Sequence, residues 1–288
     1  MAHSLSILLV LLTLNSCKNH VQDSKEENLR TTQNTYLGQT PPGKTPELFA
    51  PGIIRTEFRQ AAGVLTPDLK EFYFRRRGGQ YKYNTLMVVK KKGNQWKETV
   101  VAEKSGEPSF SVDGNIMHLG KRYRELTSSG WSEPKNLEYP FDKYRIMRLT
   151  SAANGTYYFD EASEAGPIRY SRLINGKHEE PKDLIINDIG KWNAHPFIAP
   201  DESYIIWDDQ RENGGYGDAD LYISFRQKDG SWSDSINLGN TINTEFTEAY
   251  GSISPDGKYL FFHRSYGGNR ADIYWVKADE IFKLKNKQ

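Results

Sequence analysis

The sequence predicts an all-β fold of repeated four-stranded sheets, the blades of a propeller, and three observations carry that prediction. A Pro-Asp or Asn-Gly turn signal recurs along the chain, at Thr66-Pro67-Asp68, Ser111-Val112-Asp113-Gly114, Asn154-Gly155, Ala199-Pro200-Asp201 and Ser254-Pro255-Asp256-Gly257. The signals lie 41 to 55 residues apart, the period of four-stranded blades. After each one comes a short apolar run, and no window sustains the 3.6-residue periodicity of a helix.

The clearest repeat is Glu248–Lys277. Ser252–Ser254 reads as the inner strand. In Ser254-Pro255-Asp256-Gly257, proline presets φ and glycine accepts the left-handed conformation that ends the turn. Lys258–His263 has the aromatic, apolar composition of a buried strand. Tyr266–Asn269 breaks it, and Asp272–Lys277 is the third strand. In the four earlier repeats the second strands are predicted at Glu71–Phe74, Asn115–Leu119, Thr156–Phe159 and Ser203–Trp207. Each of those repeats ends on Gly, then Trp or His, then a polar–apolar strand: Trp96–Val101, Trp131–Leu137, His178–Leu184 and Trp232–Leu238. Their tryptophans read as packing between blades.

The fifth repeat lacks that last strand. Pro46-Glu47-Leu48-Phe49 resembles Pro134-Lys135-Asn136-Leu137 and Pro181-Lys182-Asp183-Leu184. Glu47–Ile54 is therefore expected as the outer strand of the last blade, so that strands from both ends of the chain close the ring and leave no long open edge. The expected count is five blades; six would require one without its turn signal.

Ser-Pro-Asp-Gly, the apolar strand, the glycine loop and Asp272-Ile273-Tyr274 together resemble the WD40-like propeller repeat of the TolB family of exported bacterial proteins. The likeness extends over the last five-sixths of the chain. It implies a β-propeller, an envelope location and a role in protein–protein contacts.

The chain has 288 residues and a formal charge of +1, with 17 Tyr, 13 Phe and 6 Trp. The aromatics suit a large core. A near-neutral balance gives no electrostatic footprint for nucleic acid. Residues 1–17 look like an export signal, because Ile7–Leu12 is apolar but too short to span a bilayer. Leu14-Asn15-Ser16-Cys17 resembles a lipobox, and by that likeness Cys17 becomes a lipidated N-terminus. Cys17 is the chain's one cysteine and has no internal disulfide partner. Residues 18–45 are polar and read as a disordered tether, and 46–288 as one propeller domain. Gly38–Thr45 matches the P-loop pattern, but a polar tether precedes it and Pro46 follows, so the strand-and-helix context of a nucleotide site is missing.

Strand direction alternates within a blade, so the Pro-Asp turns share one face. The opposite face is expected to carry the functional mouth. It collects Arg75, Arg145, Asp160, Glu248 and Arg264 as candidate ligand-binding groups, a mixed-charge set suited to a polar ligand. His195, Asp208, Asp209 and His263 form a candidate divalent-cation set, since imidazoles with carboxylates can ligate a metal; without it no cofactor is expected. Asp220 and Asp272 match the repeat's own aspartate and read as structural. No GxSxG elbow and no cysteine nucleophile occurs within the domain. The expected function is a monomeric, lipid-anchored envelope module that binds a protein partner or a polar or saccharide ligand. The alternative is a metal-dependent hydrolase or lyase acting on sugars or lactones.

Overall fold

A computed structural model describes residues 35–163 and 166–287. The expected export signal, Cys17 and residues 18–34 lie outside the described residues. Strands and turns make up nearly all of the rest, and the helix Asp279–Phe282 is four residues long. No described helix is long and apolar enough to cross a membrane.

The strands fall into antiparallel runs in chain order. The first is Arg59–Leu65, Glu71–Gly78, Tyr81–Lys92 and Gln95–Ala102. The second is Pro108–Phe110, Ile116–Leu119, Arg122–Thr127 and Lys135–Asn136. The third is Ile146–Ser151, Tyr157–Glu161, Ile168–Ser171 and Lys182–Asp183. The fourth is Trp192–Ile198, Tyr204–Gln210, Asp220–Phe225 and Ile236–Asn237. In the fifth, Thr247–Ile253, Tyr259–Ser265 and Ala271–Lys277 are joined by Glu47–Leu48, which pairs antiparallel with the third strand. That N-terminal strand is shorter than expected: Ala50 takes a φ of 45°, and Ala50–Ile54 turns back on itself through bonds from the Ile53 and Ile54 amides to the Ala50 carbonyl.

Local chemistry explains the turns. The aspartate or asparagine of each one accepts an amide hydrogen from two residues on, as in Asp68 with Lys70, Asp113 with Asn115, Asn154 with Thr156 and Asp201 with Ser203. These Asx turns start the second strand. Successive runs bury apolar faces against one another. Met117 packs between the first and second runs, Phe159 between the second and third, Trp207 between the third and fourth, and Phe262 between the fourth and fifth. The fifth run packs on the first through Phe49, Phe72, Phe261 and Trp275. Trp96 and Trp131 are half-buried and Trp232 buried, all in these contacts.

The tether needs a correction at its C-terminal end. Tyr36 and Leu37, only 5% and 1% exposed, belong to the cluster around Phe49 and Trp275. The Tyr36 ring lies 5.1 Å from Tyr259, and its hydroxyl donates to Asp256. Two apolar side chains in an otherwise polar stretch thus anchor the chain before the first strand. The P-loop look-alike follows this anchor and leads into the two-residue strand Glu47–Leu48, with no helix to aim amides at a phosphate.

The inner strands carry the feature that shapes the interior. In the first, third, fourth and fifth runs the pairing of inner with second strand shifts register, between Ala61 and Val64, Ile146 and Leu149, Ala194 and Phe197, and Ala249 and Ser252. Three of these bulges hold a non-glycine residue in the left-handed region: Ala62, His195 and Tyr250, with φ of 54°, 52° and 60°. A bulge bends the strand and re-aims a side chain.

Candidate functional site

Buried charge collects at these bulges. Arg75, from the first run's second strand, donates from Nη2 to Glu107 at 2.8 Å and to the Tyr250 hydroxyl at 3.0 Å. Tyr250 in turn donates to Glu107 at 3.1 Å. His195 bonds Asp208 through Nδ1 at 2.9 Å and faces Glu107 with Nε2 at 3.5 Å. Its ring lies 3.8 Å from that of Tyr250, centroid to centroid. The His263 ring sits on Tyr250 as well, at 4.7 Å. Every run contributes a residue to this cluster.

The carboxylates also hold the backbone in place. Asp160 accepts the amides of Met147 and Arg148 in its own run and that of His195 in the next. Asp208 accepts the amide of Tyr250, again in the next run. A left-handed non-glycine residue costs of order 1–3 kcal/mol, and a charge-assisted bond to its amide offsets part of that.

The protonation states follow from burial and neighbours. Burial works against a charged His195, but Asp208, Tyr250 and Glu107 outweigh it and hold the imidazolium well above the ordinary range. Burial likewise opposes a charged Glu107, and His195 and Arg75 overcome it to keep the carboxylate far below its usual value. Asp160 is pushed up by burial to about 6, against the pull of His195. His263 is driven well below its ordinary value by burial, then by Arg59 and His195.

The cluster thus joins four of the residues singled out in the sequence: Arg75, Asp160, His195 and Asp208, with His263 at its edge. The others lie elsewhere. Asp209 follows Asp208 on the strand and so points to the other face, where it accepts from the Gly190 amide at 2.8 Å and Arg211 at 2.9 Å. Glu248 and Arg264 pair with each other at 2.6 Å. Glu248 also caps Thr244, and Arg264 donates to the Ile242 carbonyl, so both tie a loop to the fifth run. Arg145 is exposed. Asp220 braces the Tyr216–Gly217 loop, as its structural reading expected. His118 is fully buried beside Tyr157, and burial lowers it to about 3.

The expected cation set is therefore divided. His195 and Asp208 touch, Asp209 faces away, and His263 stands across the Tyr250 ring. Among the described residues, no group of three or more His, Cys, Asp or Glu is arranged to hold a metal ion.

A cavity of about 610 Å³ adjoins the cluster at Arg148. Its rim is formed by the turns, Pro67, Val112, Pro200, Asp201 and Pro255 among them, and its walls by inner strands through Leu65, Phe110, Ile198 and Ile253. Ser109, Thr150, Ser151 and Ser254 add hydroxyls. It opens on the turn face, the one opposite the expected mouth.

Sequence reasoning missed Glu107, Arg148 and Tyr250. A regular strand alternates its faces, and the bulges break that alternation. Tyr250-Gly251 and His195-Pro196 did carry a signal, because Gly or Pro inside a strand pattern marks a bulge. Nothing comparable flags Arg148 in Met147-Arg148-Leu149-Thr150.

No family model matches the chain, and no curated protein is significantly similar to it in sequence. Solved structures do match. TolB from Acinetobacter baumannii is 17% identical with a TM-score of 0.51, over 78% of this chain and 53% of its own. The chain thus spans about half the length of that protein. A protein assigned as TolB from Agrobacterium tumefaciens is 15% identical with a TM-score of 0.51, over 78% of this chain and 79% of its own. A gluconolactonase from Xanthomonas campestris is 8% identical with a TM-score of 0.48, over 82% and 97%. The fold is a β-propeller of the TolB-like kind.

Proposed function

We propose that this chain is a non-enzymatic binding module of the bacterial cell envelope, a propeller that takes its ligand in the cavity on the turn face. In this reading the successive runs are five blades, and Glu47–Leu48 closes the ring by completing the fifth. The parallel pairing of Arg59 with Ala271 and the Phe49 cluster support that closure. The envelope location, the monomeric state and the anchor at Cys17 extend the likeness to TolB and the sequence of residues 1–17.

The observation that carries the binding reading is the cavity itself. Its volume lies within the roughly 300–1,000 Å³ of small-molecule sites, and its walls are mostly apolar with a few polar groups. The His195–Asp208 pair supports binding over catalysis. A general base must be free to take a proton at the working pH, whereas this imidazole is already charged and held between two carboxylates.

Native mass spectrometry of the purified full chain tests the reading. A non-covalent small molecule is expected on the wild type and is lost in Val64→Trp, which fills the cavity. Metal-dependent turnover of a lactone or glycoside, abolished by His195→Ala, would replace the reading with the hydrolase alternative.

A further inference from the structure

Among the described residues three arginines are buried: Arg75, Arg76 and Arg148. Arg75 pairs with Glu107, and Arg76 with Glu98 and the Ile54 carbonyl. Arg148 is the most buried of the three, 1% exposed, yet no ion pair or side-chain hydrogen bond reaches its guanidinium. Its Nε and Nη1 are buried without a partner. Leaving the donors of a buried charged group without hydrogen-bond partners is costly, and arginine does not escape by losing its proton. The neighbouring acids Glu107, Asp208 and Asp160 attract it through space without a hydrogen bond. Asp160 accepts three amides, Asp208 bonds His195 and the Tyr250 amide, and Glu107 takes Arg75 and Tyr250 on Oε1 while its Oε2 is buried without a partner. Arg148 is also a lining residue of the cavity, together with Ser151, whose hydroxyl is likewise unpartnered.

We infer that the cavity binds a small amphipathic monocarboxylate, its carboxylate received by Arg148 and its apolar body lying against Leu65, Phe110, Phe197, Ile253 and Phe282. This rests on the proposed binding reading and specifies the ligand class of the same site. A planar guanidinium matches a carboxylate fork to fork. Arg148 is the one cation among the described lining residues, which also carry the rim carboxylates Asp201 and Asp256, so a single negative charge suits the site and a phosphate dianion would be left uncompensated. The apolar side chains supply the driving force for a hydrocarbon or aromatic tail. Phe282, on the short helix Asp279–Phe282, packs tilted against Tyr204 with ring centroids 5.0 Å apart and bounds the cavity from the C-terminal segment.

Isothermal titration of the full chain with decanoate, decanol and acetate is the test. Decanoate is expected to bind at one site, about tenfold or more tighter than decanol, the lower end for a charge-assisted bond, and acetate not measurably. Arg148→Gln is expected to erase the preference for decanoate over decanol, while Val64→Trp abolishes binding of both. If Arg148→Gln fails to fold, the wild-type comparison still decides. Equal affinity for decanoate and decanol overturns the inference and leaves the binding cavity standing. Acetate binding as tightly as decanoate overturns it in favour of a simple anion site. Binding of none of the three overturns both the inference and the cavity reading.

Discussion

The charged cluster and the cavity meet at Arg148, and they use polar groups in opposite ways. In the cluster almost every charge is answered from within the protein: Arg75 by Glu107, His195 by Asp208, and the strained amides of His195 and Tyr250 by Asp160 and Asp208. Among the cavity's described lining residues, Arg148 is the one cation, and its Nε and Nη1 are buried without a hydrogen-bond partner. A dense cluster of titratable residues is therefore the better sign of a structural pin. A buried side chain with unmet hydrogen bonds beside a cavity is, on the proposal above, the better sign of a place for a ligand.

The largest way to break this contrast is to remove one member of the pinned set. Asp208→Ala takes away the partner of His195 and the acceptor of the Tyr250 amide at once. It leaves the buried imidazolium with Glu107 alone and the strained Tyr250 amide without its acceptor. The expected loss is about 3–5 kcal/mol, the usual cost of breaking a buried pair, read as a fall in urea midpoint at unchanged m. A loss below about 1 kcal/mol would show that the cluster does not pin the runs together.

The next effect tests where the folded part begins. Removing residues 1–45 takes Tyr36 and Leu37 from the cluster around Phe49 and Trp275. At roughly 1.5–3 kcal/mol for each buried apolar side chain, the truncation should cost about 3–6 kcal/mol relative to one beginning at Thr35. Equal melting temperatures for the two would restore the boundary that the sequence suggested.

That boundary shows what the sequence could and could not reveal. The turns at Asp68, Asp113, Asn154, Asp201 and Asp256 were legible because an Asx turn is a local device, fixed by three or four neighbouring residues. Glu47 and Leu48 were placed correctly because they repeat a pattern found at Lys135–Asn136 and Lys182–Asp183. Tyr36 and Leu37 were not, because burial there depends on Trp275 and Tyr259, more than 200 residues away. Within the site, Arg75, Asp160, His195 and Asp208 were legible as strand ends on one face. Their roles were not, because the bulges turn inner-strand residues toward them and make brackets of groups that resembled ligands.

A smaller effect separates the two histidines that flank Tyr250. His195 has a raised pKa in the folded protein, so its contribution is complete below 6.5 and is lost as pH rises through the folded value. For His263 the folded pKa is depressed, so its contribution is present above 6.5 and is lost as pH falls toward the folded value. Each can change the slope of stability by at most about 1.4 kcal/mol per pH unit, one proton's worth. Denaturation midpoints of wild type, His195→Gln and His263→Gln from pH 5 to 9 give the comparison. His263→Gln should lose less stability than wild type between pH 7 and 5, and His195→Gln should lose less on the alkaline side. Asp160, raised to about 6, gains stability as pH falls through the same acid window; it is shared by wild type and His263→Gln and cancels between them, whereas His195→Gln removes the imidazolium that holds Asp160 down, so that variant is compared on the alkaline side only. Parallel curves would mean that neither ring senses its neighbours as the geometry requires.

The smallest expected effect is at Arg145, and it sharpens the contrast from the other side. Arg145 was grouped with Arg75 by sequence, as a cation near the mouth opposite the turns. Arg75 is locked to Glu107 and Tyr250, whereas Arg145 is exposed. Its backbone carbonyl accepts from the Ala162 amide, a bond that any residue at this position keeps. Arg145→Glu should therefore change stability by no more than about 0.5 kcal/mol, as surface substitutions usually do. Arg75→Glu at the same expected mouth would set a second carboxylate against Glu107 in place of its ion-pair partner and should abolish folding. The surface change also divides the two modes of binding. A ligand held in the cavity on the turn face is indifferent to Arg145→Glu, so decanoate affinity should be unchanged. A macromolecular partner docked on the opposite face would be weakened, more strongly at low salt, because an exposed charge acts over about a Debye length, roughly 8–10 Å. Pull-down of an envelope protein by wild type but not by Arg145→Glu, with decanoate affinity intact, would establish two binding faces on one propeller.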